Sequence, residues 1–220
     1  MSYIYLTGIL VLGYILGSIP FGYILVKIIT GKDVRQVESG RTGGTNTMRV
    51  AGFGIGFITS LLDMLKSAGA VWIAQLLMPN VYWLHVIAGF TAVLGHNYSI
   101  FLIKKDEQGK IKLGGGAGGT PALGAIVGFW WPSVLILVPA GYIIVMVIGY
   151  ASLATLSLPL LGSLILLIRF LKFDQPWQYI LSGLLSEILI VWALRPNIKR
   201  LLNGSERLVG FRADKKKKDI

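Results

Sequence analysis

Long apolar stretches alternate with short polar segments along most of the chain. The apolar runs cover about 3–29, 51–78, 81–103, 117–131, 133–150, 153–172 and 177–194. A transmembrane helix needs roughly 20 residues to cross the hydrocarbon core of a bilayer. Four runs reach that length easily, whereas 133–150 and 177–194 are marginal and 117–131 is short. The pattern predicts an all-α fold, a polytopic bundle of transmembrane helices.

The composition agrees with membrane spans. Of the 220 residues, 54% are hydrophobic and 14% are charged, and the mean hydropathy is +0.69. So few charges do not make the polar surface that a soluble domain of this size needs. Cysteine is absent, which excludes disulfides, thiolate zinc sites and iron–sulfur clusters. The two histidines, His85 and His96, are too few for a histidine cluster, and we expect no metal and no cofactor.

Basic residues gather in three polar segments. Five lie between residues 27 and 49, four between 104 and 112, and nine from Arg195 onward. Cytoplasmic loops of membrane proteins are rich in Lys and Arg, so we expect these segments in the cytoplasm and the N-terminus outside. The net charge of +11 then reflects topology and attraction to the lipid bilayer, not nucleic-acid binding.

The same charges constrain the number of spans. One crossing leads to the first basic segment, two more lead to the second, and four fit between Gly118 and Leu194, which gives seven spans in all. Arg169 and Lys172 would then lie outside, a small violation of the rule, and five spans is the alternative. No Lys or Arg precedes Lys27, so the first run is read as a permanent span and not as a signal peptide. We expect residues 1–202 to form a single integral membrane domain and residues 203–220 a basic cytoplasmic tail.

Two loops carry residues that can bind an anion. The segment 33–49 combines three glycines and several small polar residues with arginines, just before a span. Backbone N–H groups, hydroxyls and guanidinium groups bind anions, although an ordinary connector has a similar composition. The segment 114–119 contains five glycines in six residues and is followed by an apolar helix. This second pattern favours a phosphate cradle at a helix N-terminus over a flexible linker.

Two further features allow more than one interpretation. The segment from Arg195 to Glu206 is either a juxtamembrane amphipathic stretch with basic anchors or a third wall of the same site. Asp63 and Lys66 lie three residues apart within the run 51–78. That spacing places them on one helix face, where they form either a structural pair or a catalytic one.

These segments together resemble the acyl-phosphate:glycerol-3-phosphate acyltransferase family of bacterial membranes, the PlsY type. The resemblance covers nearly the whole chain, from Gly17 to Glu206. The first family motif matches Asp33, Arg35, Ser39, Gly40, Gly43, Thr45, Asn46 and Arg49, and others match Asp63, Lys66, Gly95, His96, Phe101, Leu102, Ser152 and Leu153. The closing motif matches Asn197, Ile198, Arg200, Leu201, Gly204 and Glu206.

The chain departs from the family pattern at three places. Ala117 stands where the glycine loop of the family has lysine, Leu194 replaces a histidine, and Arg41 replaces an asparagine. Two of these departures remove residues that the family is expected to use on its substrates. Arg41, or Lys112 just before the glycines, is the candidate for supplying the missing charge.

The resemblance implies an activity, a location and a set of site residues. The protein would transfer an acyl group from acyl phosphate to the 1-hydroxyl of glycerol 3-phosphate, giving lysophosphatidic acid, at the cytoplasmic face of a bacterial plasma membrane. Ser39 and Arg49 would bind the acceptor phosphate, with Gly40 and Arg195 as further substrate-binding residues. The loop residues Gly115, Gly116, Gly118 and Gly119 would hold the donor phosphate. Thr45, Asn46, Ser152 and Asn197 would position the reacting groups as catalytic residues.

The residues that follow the two histidines agree with an acyl donor that is already activated. Acyltransferases that use thioesters carry an Asp five residues after a histidine, whereas Phe90 and Phe101 occupy those places here. An acyl phosphate needs positioning and charge stabilisation more than a strong base. The alternatives are a transporter or channel for an anionic solute, whose repeated halves are not visible in this sequence, and a family member with lost or altered catalysis.

Overall fold

A computed structural model describes residues 3–105 and 108–218, which form ten α-helices and one β-hairpin. The helices are α1 (Tyr3–Ser18), α2 (Phe21–Thr30), α3 (Gly44–Ala51), α4 (Phe53–Leu77), α5 (Tyr82–Asn97), α6 (Gly119–Phe129), α7 (Val134–Ile143), α8 (Ala151–Phe173), α9 (Ile180–Leu202) and α10 (Gly210–Lys218). The strands are β1 (Ser99–Lys105) and β2 (Ile111–Gly114). Single turns of 3₁₀-helix precede α7 and α9, and a π-helical segment, Ile144–Ile148, follows α7.

Five helical segments of the described chain are long and apolar enough to cross a membrane. They are Ile4–Thr30, Phe53–Leu77, Trp131–Ile148, Ala151–Phe173 and Trp177–Leu202. Helices suit these sequences because each backbone N–H and C=O is bonded within the segment, which lipid requires. The first segment breaks between α1 and α2 at Pro20, which has no N–H to donate. The chain is therefore mostly helical, with five candidate spans.

The predicted count of seven spans is not confirmed by helix length. Two of the seven apolar runs form shorter helices, α5 with 16 residues and α6 with 11. Roughly 20 residues are needed for a full crossing at the usual rise per residue. Five, the alternative count, is the number of segments that reach spanning length in the described chain.

The all-α prediction is wrong for one segment. The run 81–103 predicts a continuous helix, but α5 ends at Asn97 and β1 begins at Ser99. β1 pairs antiparallel with β2, with Ile103 opposite Leu113 and an irregularity between Ser99 and Ile103. The hydroxyl of Ser99 donates to the carbonyl of Ser18 over 2.6 Å and holds this turn against the end of α1. An apolar run by itself does not distinguish a helix from a strand.

Small residues allow the central helices to approach closely. A Cβ atom added to Gly13 would lie 2.6 Å from the Thr91 hydroxyl of α5, and one added to Gly128 would lie 2.7 Å from Cβ of Val71 in α4. Gly17 and Gly124 are blocked in the same way by Ala92 and Met64. The four glycines form the close-packing faces expected in membrane helix pairs. Next to them, Val93, Ala122, Ile190 and Leu194 form a buried apolar cluster shared by α5, α6 and α9.

A buried ion pair lies inside the bundle. The ammonium of Lys66 is 2.7 Å from Oδ1 of Asp63, and their side chains are 3% and 1% exposed. Lys66 Nζ also lies 3.0 Å from Nδ1 of His96 and donates to the carbonyl of Ile19 over 2.8 Å. The two charges predicted on one helix face thus neutralise each other and connect α4 with α5 and the α1–α2 break.

The segment after α9 packs against the rest of the protein. The N–H of Val209 donates to the carbonyl of Gly149 over 2.9 Å, and the Arg212 guanidinium donates to the carbonyl of Ile148 over 3.0 Å. These contacts connect the start of α10 to the α7–α8 junction. The division into a domain 1–202 and a tail 203–220 stays a prediction, and residues 1, 2, 106, 107, 219 and 220 of those ranges lie outside the described residues.

Candidate active site

A polar cavity of about 410 Å³ opens where the ends of several helices meet. It is lined by the loop before α3 and by α3 itself, by the end of α5, by the loop into α6, by the start of α8, by the end of α9 and by residues 206–207. The lining residues are Glu38, Ser39, Arg41, Gly43, Gly44, Thr45, Asn46, Arg49, His96, Ala117, Gly118, Gly119, Thr120, Ala151, Ser152, Thr155, Leu194, Pro196, Asn197, Arg200, Glu206 and Arg207. All three segments singled out from the sequence therefore meet in one place.

Two polar side chains hold the loop before α3 in its conformation. Asp33 caps a turn of 3₁₀-helix by accepting from the N–H and the guanidinium of Arg35, and this pairing lowers the pKa of Asp33. Asn46 is 3% exposed, and its amide donates to the carbonyls of Val34, Val37 and Arg41. Its oxygen accepts from the N–H of Ser39 over 3.2 Å.

These contacts separate the roles of the loop residues. In the described chain the hydrogen bonds of the Asn46 side chain all go to the loop backbone, so its contacts are those of a residue that shapes the wall of the cavity. Ser39 and Thr45 are exposed and line the cavity directly. Arg49 reaches it from the last turn of α3. Loss of solvation lowers the pKa of both Arg41 and Arg49, although a guanidinium stays charged, and an anion bound beside them would restore the lost stabilisation.

The glycine-rich loop is a compact turn and not an open linker. The N–H of Gly116 donates to the carbonyl of His96 over 3.0 Å, and the carbonyl of Gly115 accepts from the N–H of Thr42 over 3.3 Å. Gly118 caps α6 with φ of 94°, in the left-handed region that favours glycine. Gly118, Gly119 and Thr120 face the cavity at the N-terminus of α6. The free N–H groups at the start of α6 and the positive end of its dipole thus point toward the cavity.

The conformation of Gly118 leads to a prediction. A Cβ atom at this position would lie 2.6 Å from Oδ1 of Asn97, and the alanine would have to adopt the positive φ of Gly118. We expect Gly118→Ala to destabilise the protein by about 1–3 kcal/mol and to weaken anion binding. Gly69→Ala is the matched control, because no atom lies within 4 Å of its added Cβ. Thermal unfolding in detergent measures both variants, and equal transition temperatures would contradict this account of the loop.

Glu206 organises the wall of the cavity that the start of α8 and the end of α9 form. Its Oε1 accepts from the Ser152 hydroxyl over 3.0 Å and from the Asn197 amide over 2.8 Å, and its Oε2 accepts from Arg200 over 2.8 Å. Burial raises the pKa of a carboxyl, but the hydrogen bonds from Asn197, Arg200 and Ser152 hold the pKa of Glu206 below its usual value. Glu206 is therefore a carboxylate at neutral pH, and it orients groups from α8 and α9.

The structure brings most of the predicted site residues together. Eight of them line the cavity: Ser39, Thr45, Asn46, Arg49, Gly118, Gly119, Ser152 and Asn197. Gly40, Gly115 and Gly116 shape the two loops but do not line it. Arg195 is exposed and lies over the ring of Trp192, 3.3 Å from its centroid. The roles assigned to all these residues stay predictions.

Sequence reasoning did not select several residues that line the cavity. His96, Arg200 and Glu206 belong to the matched motifs, so a signal for them was present. Glu38 lies in the segment 33–49 without matching a motif residue, and the places of Arg207 and Thr155 depend on contacts between distant segments. Lys112 lies on β2 and is not among the lining residues. In the described chain no group of three or more His, Asp or Glu residues is placed to hold a metal ion.

Comparisons with known proteins agree with this architecture. The family described as glycerol-3-phosphate acyltransferase matches residues 7–204. The glycerol-3-phosphate acyltransferase of Syntrophomonas wolfei is 37% identical over 208 residues, which make up 94% of this chain and 98% of the relative. That of Thermotoga petrophila is 38% identical over 203 residues, 91% of this chain and 95% of the relative.

Two solved structures share the fold. The crystal structure of PlsY (YgiH), an integral membrane glycerol 3-phosphate acyltransferase, in its glycerol 3-phosphate form has a TM-score of 0.80 and 29% identity. It covers 94% of this chain, which in turn covers 96% of that structure. The lysphosphatidic acid form has a TM-score of 0.78 and 28% identity, with the same coverage.

The apolar helices and the positively charged cavity at their ends define an integral membrane protein, and the relatives make it an acyltransferase of phospholipid synthesis. The chain belongs to the glycerol-3-phosphate acyltransferase family of the PlsY type. The family assignment selects the enzyme over the transporter or channel alternative.

Proposed function

We propose that this protein transfers an acyl group from an acyl phosphate to the 1-hydroxyl of glycerol 3-phosphate and forms lysophosphatidic acid. The observation that supports it most is the charge of the cavity. Four arginines and two glutamates line it, so it carries a surplus of positive charge suited to two phosphate-bearing substrates. The related PlsY structures were solved in forms with glycerol 3-phosphate and with lysphosphatidic acid, which agrees with this acceptor and this product.

The chemical groups in the cavity support an acyl phosphate as the donor. Among the described residues, Asp63 is the carboxylate within hydrogen-bonding distance of His96, and it is engaged by the buried Lys66. A strong general base for an unactivated ester is therefore not provided among the described residues. Phosphate is a good leaving group, and a phosphate oxygen of the donor can accept the proton of the attacking hydroxyl. The enzyme then needs to orient the two substrates and to stabilise the developing charge.

The lining residues divide this work between them. Arg49 and the exposed hydroxyl of Ser39 bind the acceptor phosphate, and Thr45 lies beside them. The N-terminus of α6, from Gly118 to Thr120, receives the donor phosphate. Ser152 and Asn197, both fixed by Glu206, orient the attacking hydroxyl and the acyl carbonyl. The acyl chain lies between apolar helices on the membrane side of the cavity.

The site faces the cytoplasm of a bacterial plasma membrane in this proposal, with the N-terminus outside. Cavity-lining residues lie near the end of α5, the start of α6, the start of α8 and the end of α9. Alternating helix directions therefore give seven crossings, in which α5 and α6 are the two short ones. The basic segments at 27–49, 104–112 and from 195 onward then share one side, as the distribution of Lys and Arg in membrane proteins requires.

A direct assay tests the activity. Purified protein in detergent receives palmitoyl phosphate and labelled glycerol 3-phosphate, and lysophosphatidic acid is the expected product. Asn197→Ala is expected to lower kcat/KM at least about 100-fold, because a misplaced orienting group has an effect of that size. Asn203→Ala is the matched control, since Asn203 is exposed and does not line the cavity. No product from acyl phosphates of any chain length would overturn the proposal, as would equal activity with palmitoyl-coenzyme A.

A further inference from the structure

Two of the cations in the cavity form no ion pair with a described residue. Arg200 is paired with Glu206, and Arg207 with Glu38. Arg41 and Arg49 make no ion pair with any described residue. A site for two phosphates needs cations that are not already neutralised. These two arginines are therefore the ones available to the two substrates.

Arg41 lies where the loop before α3, the glycine-rich loop and α9 meet. The neighbouring Thr42 donates its N–H to the carbonyl of Gly115 over 3.3 Å, which places Arg41 beside the glycine-rich loop. The carbonyl of Arg41 accepts from the Asn46 amide over 2.8 Å. The guanidinium donates through Nη2 to the carbonyl of Ala193 in α9, and its other N–H groups have no partner in the described part of the chain. Its position is fixed before a ligand arrives, which reduces the entropic cost of binding.

The surroundings of the two arginines differ in polarity. Leu194 follows Ala193 in α9, and its side chain is 2% exposed. It lines the cavity and belongs to the buried apolar cluster that α5, α6 and α9 share. Arg49 lies on the exposed face of α3. A phosphate that carries an acyl chain fits a cation beside an apolar wall, because the chain leaves water as the phosphate binds. A small water-soluble phosphate fits the cation on the exposed side.

The glycine-rich loop has no charge of its own to offer. The segment Gly114–Thr120 contains no Lys or Arg, so its N–H groups and the dipole of α6 need a cation from another element to balance a phosphate dianion. Arg41 is the unpaired lining cation adjoining that loop. Lys112, which precedes the loop, lies on β2 outside the lining.

We propose that Arg41 binds the phosphate of the acyl phosphate donor and supplies from the loop before α3 the positive charge that the glycine-rich loop lacks. This inference rests on the proposed function, since it assigns one of that reaction's two phosphates. It makes Arg41 the residue that sets affinity for the donor, and Arg49 the residue that sets affinity for the acceptor.

Steady-state kinetics with both substrates varied separates the two arginines. Arg41→Gln is expected to raise the KM for palmitoyl phosphate on the order of 10- to 100-fold, the effect of losing a hydrogen bond to a charged group. The KM for glycerol 3-phosphate should change less than about threefold, and Arg49→Gln should show the opposite pattern. Arg41→Lys keeps the charge and should recover part of the affinity. Lys199→Gln removes an exposed cation of α9 outside the lining and is the control.

A second variant moves the charge to the loop. Ala117 lines the cavity in the middle of the glycine-rich loop, so Ala117→Lys in the Arg41→Gln background places an ammonium beside the donor phosphate. We expect the KM for palmitoyl phosphate to fall again by about tenfold or more. A purely structural role of Arg41, exerted through the carbonyl of Ala193, would not be rescued in this way.

Chemical protection tests the wild-type protein without any substitution. Phenylglyoxal modifies accessible arginines, and mass spectrometry of the digested protein reports modification at residue 41. A non-transferable palmitoyl phosphonate should protect Arg41, whereas glycerol 3-phosphate should protect Arg49. An Arg41 that is unreactive without ligand, or that only glycerol 3-phosphate protects, would overturn the inference.

The outcomes separate this inference from the proposed function. If the wild-type protein forms no product from acyl phosphate, the proposed function itself fails. If the wild type is active and Arg41→Gln raises only the KM for glycerol 3-phosphate, or neither KM, the proposed function stands and the assignment of Arg41 is wrong.

Discussion

Glu206→Ala is expected to lower kcat/KM for acyl transfer at least about 100-fold while the protein stays folded in detergent. The carboxylate is the common acceptor of Ser152, Asn197 and Arg200, which belong to two different helices. Without it, the hydroxyl and the amide lose the group that fixes their direction. A displacement of about 1 Å in positioning groups has this effect on rate. Measuring kcat and KM for both substrates shows whether the loss falls mainly on kcat, as misorientation requires.

Glu38→Ala provides the comparison for this variant. Glu38 also lines the cavity and also pairs with an arginine, Arg207, but its side chain is 38% exposed against 7% for Glu206. Exposed ion pairs contribute only about 0–1 kcal/mol. We therefore expect less than a tenfold change for Glu38→Ala. If both variants lose the same activity, the difference in burial does not matter and the organising role of Glu206 is wrong.

Asp63→Asn is expected to destabilise the protein by about 3–5 kcal/mol, because it leaves the ammonium of Lys66 buried without its counter-ion. The Asp63 side chain is 1% exposed, and its Oδ1 lies 2.7 Å from Lys66 Nζ. The pair also contacts His96, whose carbonyl accepts from the N–H of Gly116. The variant should therefore unfold at a lower temperature and should also loosen the glycine-rich loop. Thermal and denaturant unfolding in detergent measure the first effect.

Removing the charges of both Asp63 and Lys66 tests whether the loss of stability in Asp63→Asn is electrostatic. Asp63→Asn combined with Lys66→Met should regain most of the stability, since replacing a whole buried pair by neutral groups is often close to neutral in free energy. Asp33→Asn is the control, because the Asp33–Arg35 pair is partly exposed, at 17% and 27%, and should contribute no more than about 1 kcal/mol. A double variant no more stable than Asp63→Asn would mean that the pair acts through packing and not through charge.

The helical membrane fold could be predicted from the sequence, because hydrophobicity and helix formation in lipid follow directly from the residues. The β-hairpin could not. Ile100, Phe101 and Ile103 continue the apolar run of α5, yet they lie exposed on β1. The end of α5 at Asn97 depends on contacts with Ser18 and Gly116. Such contacts between distant segments leave no periodic signal in the run itself.

The residue types of the site could also be predicted, but not which of them face the cavity. Asn46 has the polar amide expected of a catalytic group, and the structure shows that amide bonded to the loop backbone. Arg195 was predicted to bind substrate, as Arg49 was, but Arg195 does not line the cavity and its guanidinium lies over the ring of Trp192. The direction of a side chain at a helix end depends on the rotation of that helix, which neighbouring helices set. Hydrophobic patterning near span ends is too weak to define it.

The position of Glu206 in the chain has a consequence for biogenesis. This residue follows all five segments of spanning length, yet it fixes the groups of α8 and α9 that face the cavity. A chain still being inserted into the bilayer can contain all five segments of spanning length and both loops and still lack the carboxylate that orients Ser152 and Asn197. We therefore expect acyl transfer to reach its full rate only when the segment that carries Glu206 has reached its place.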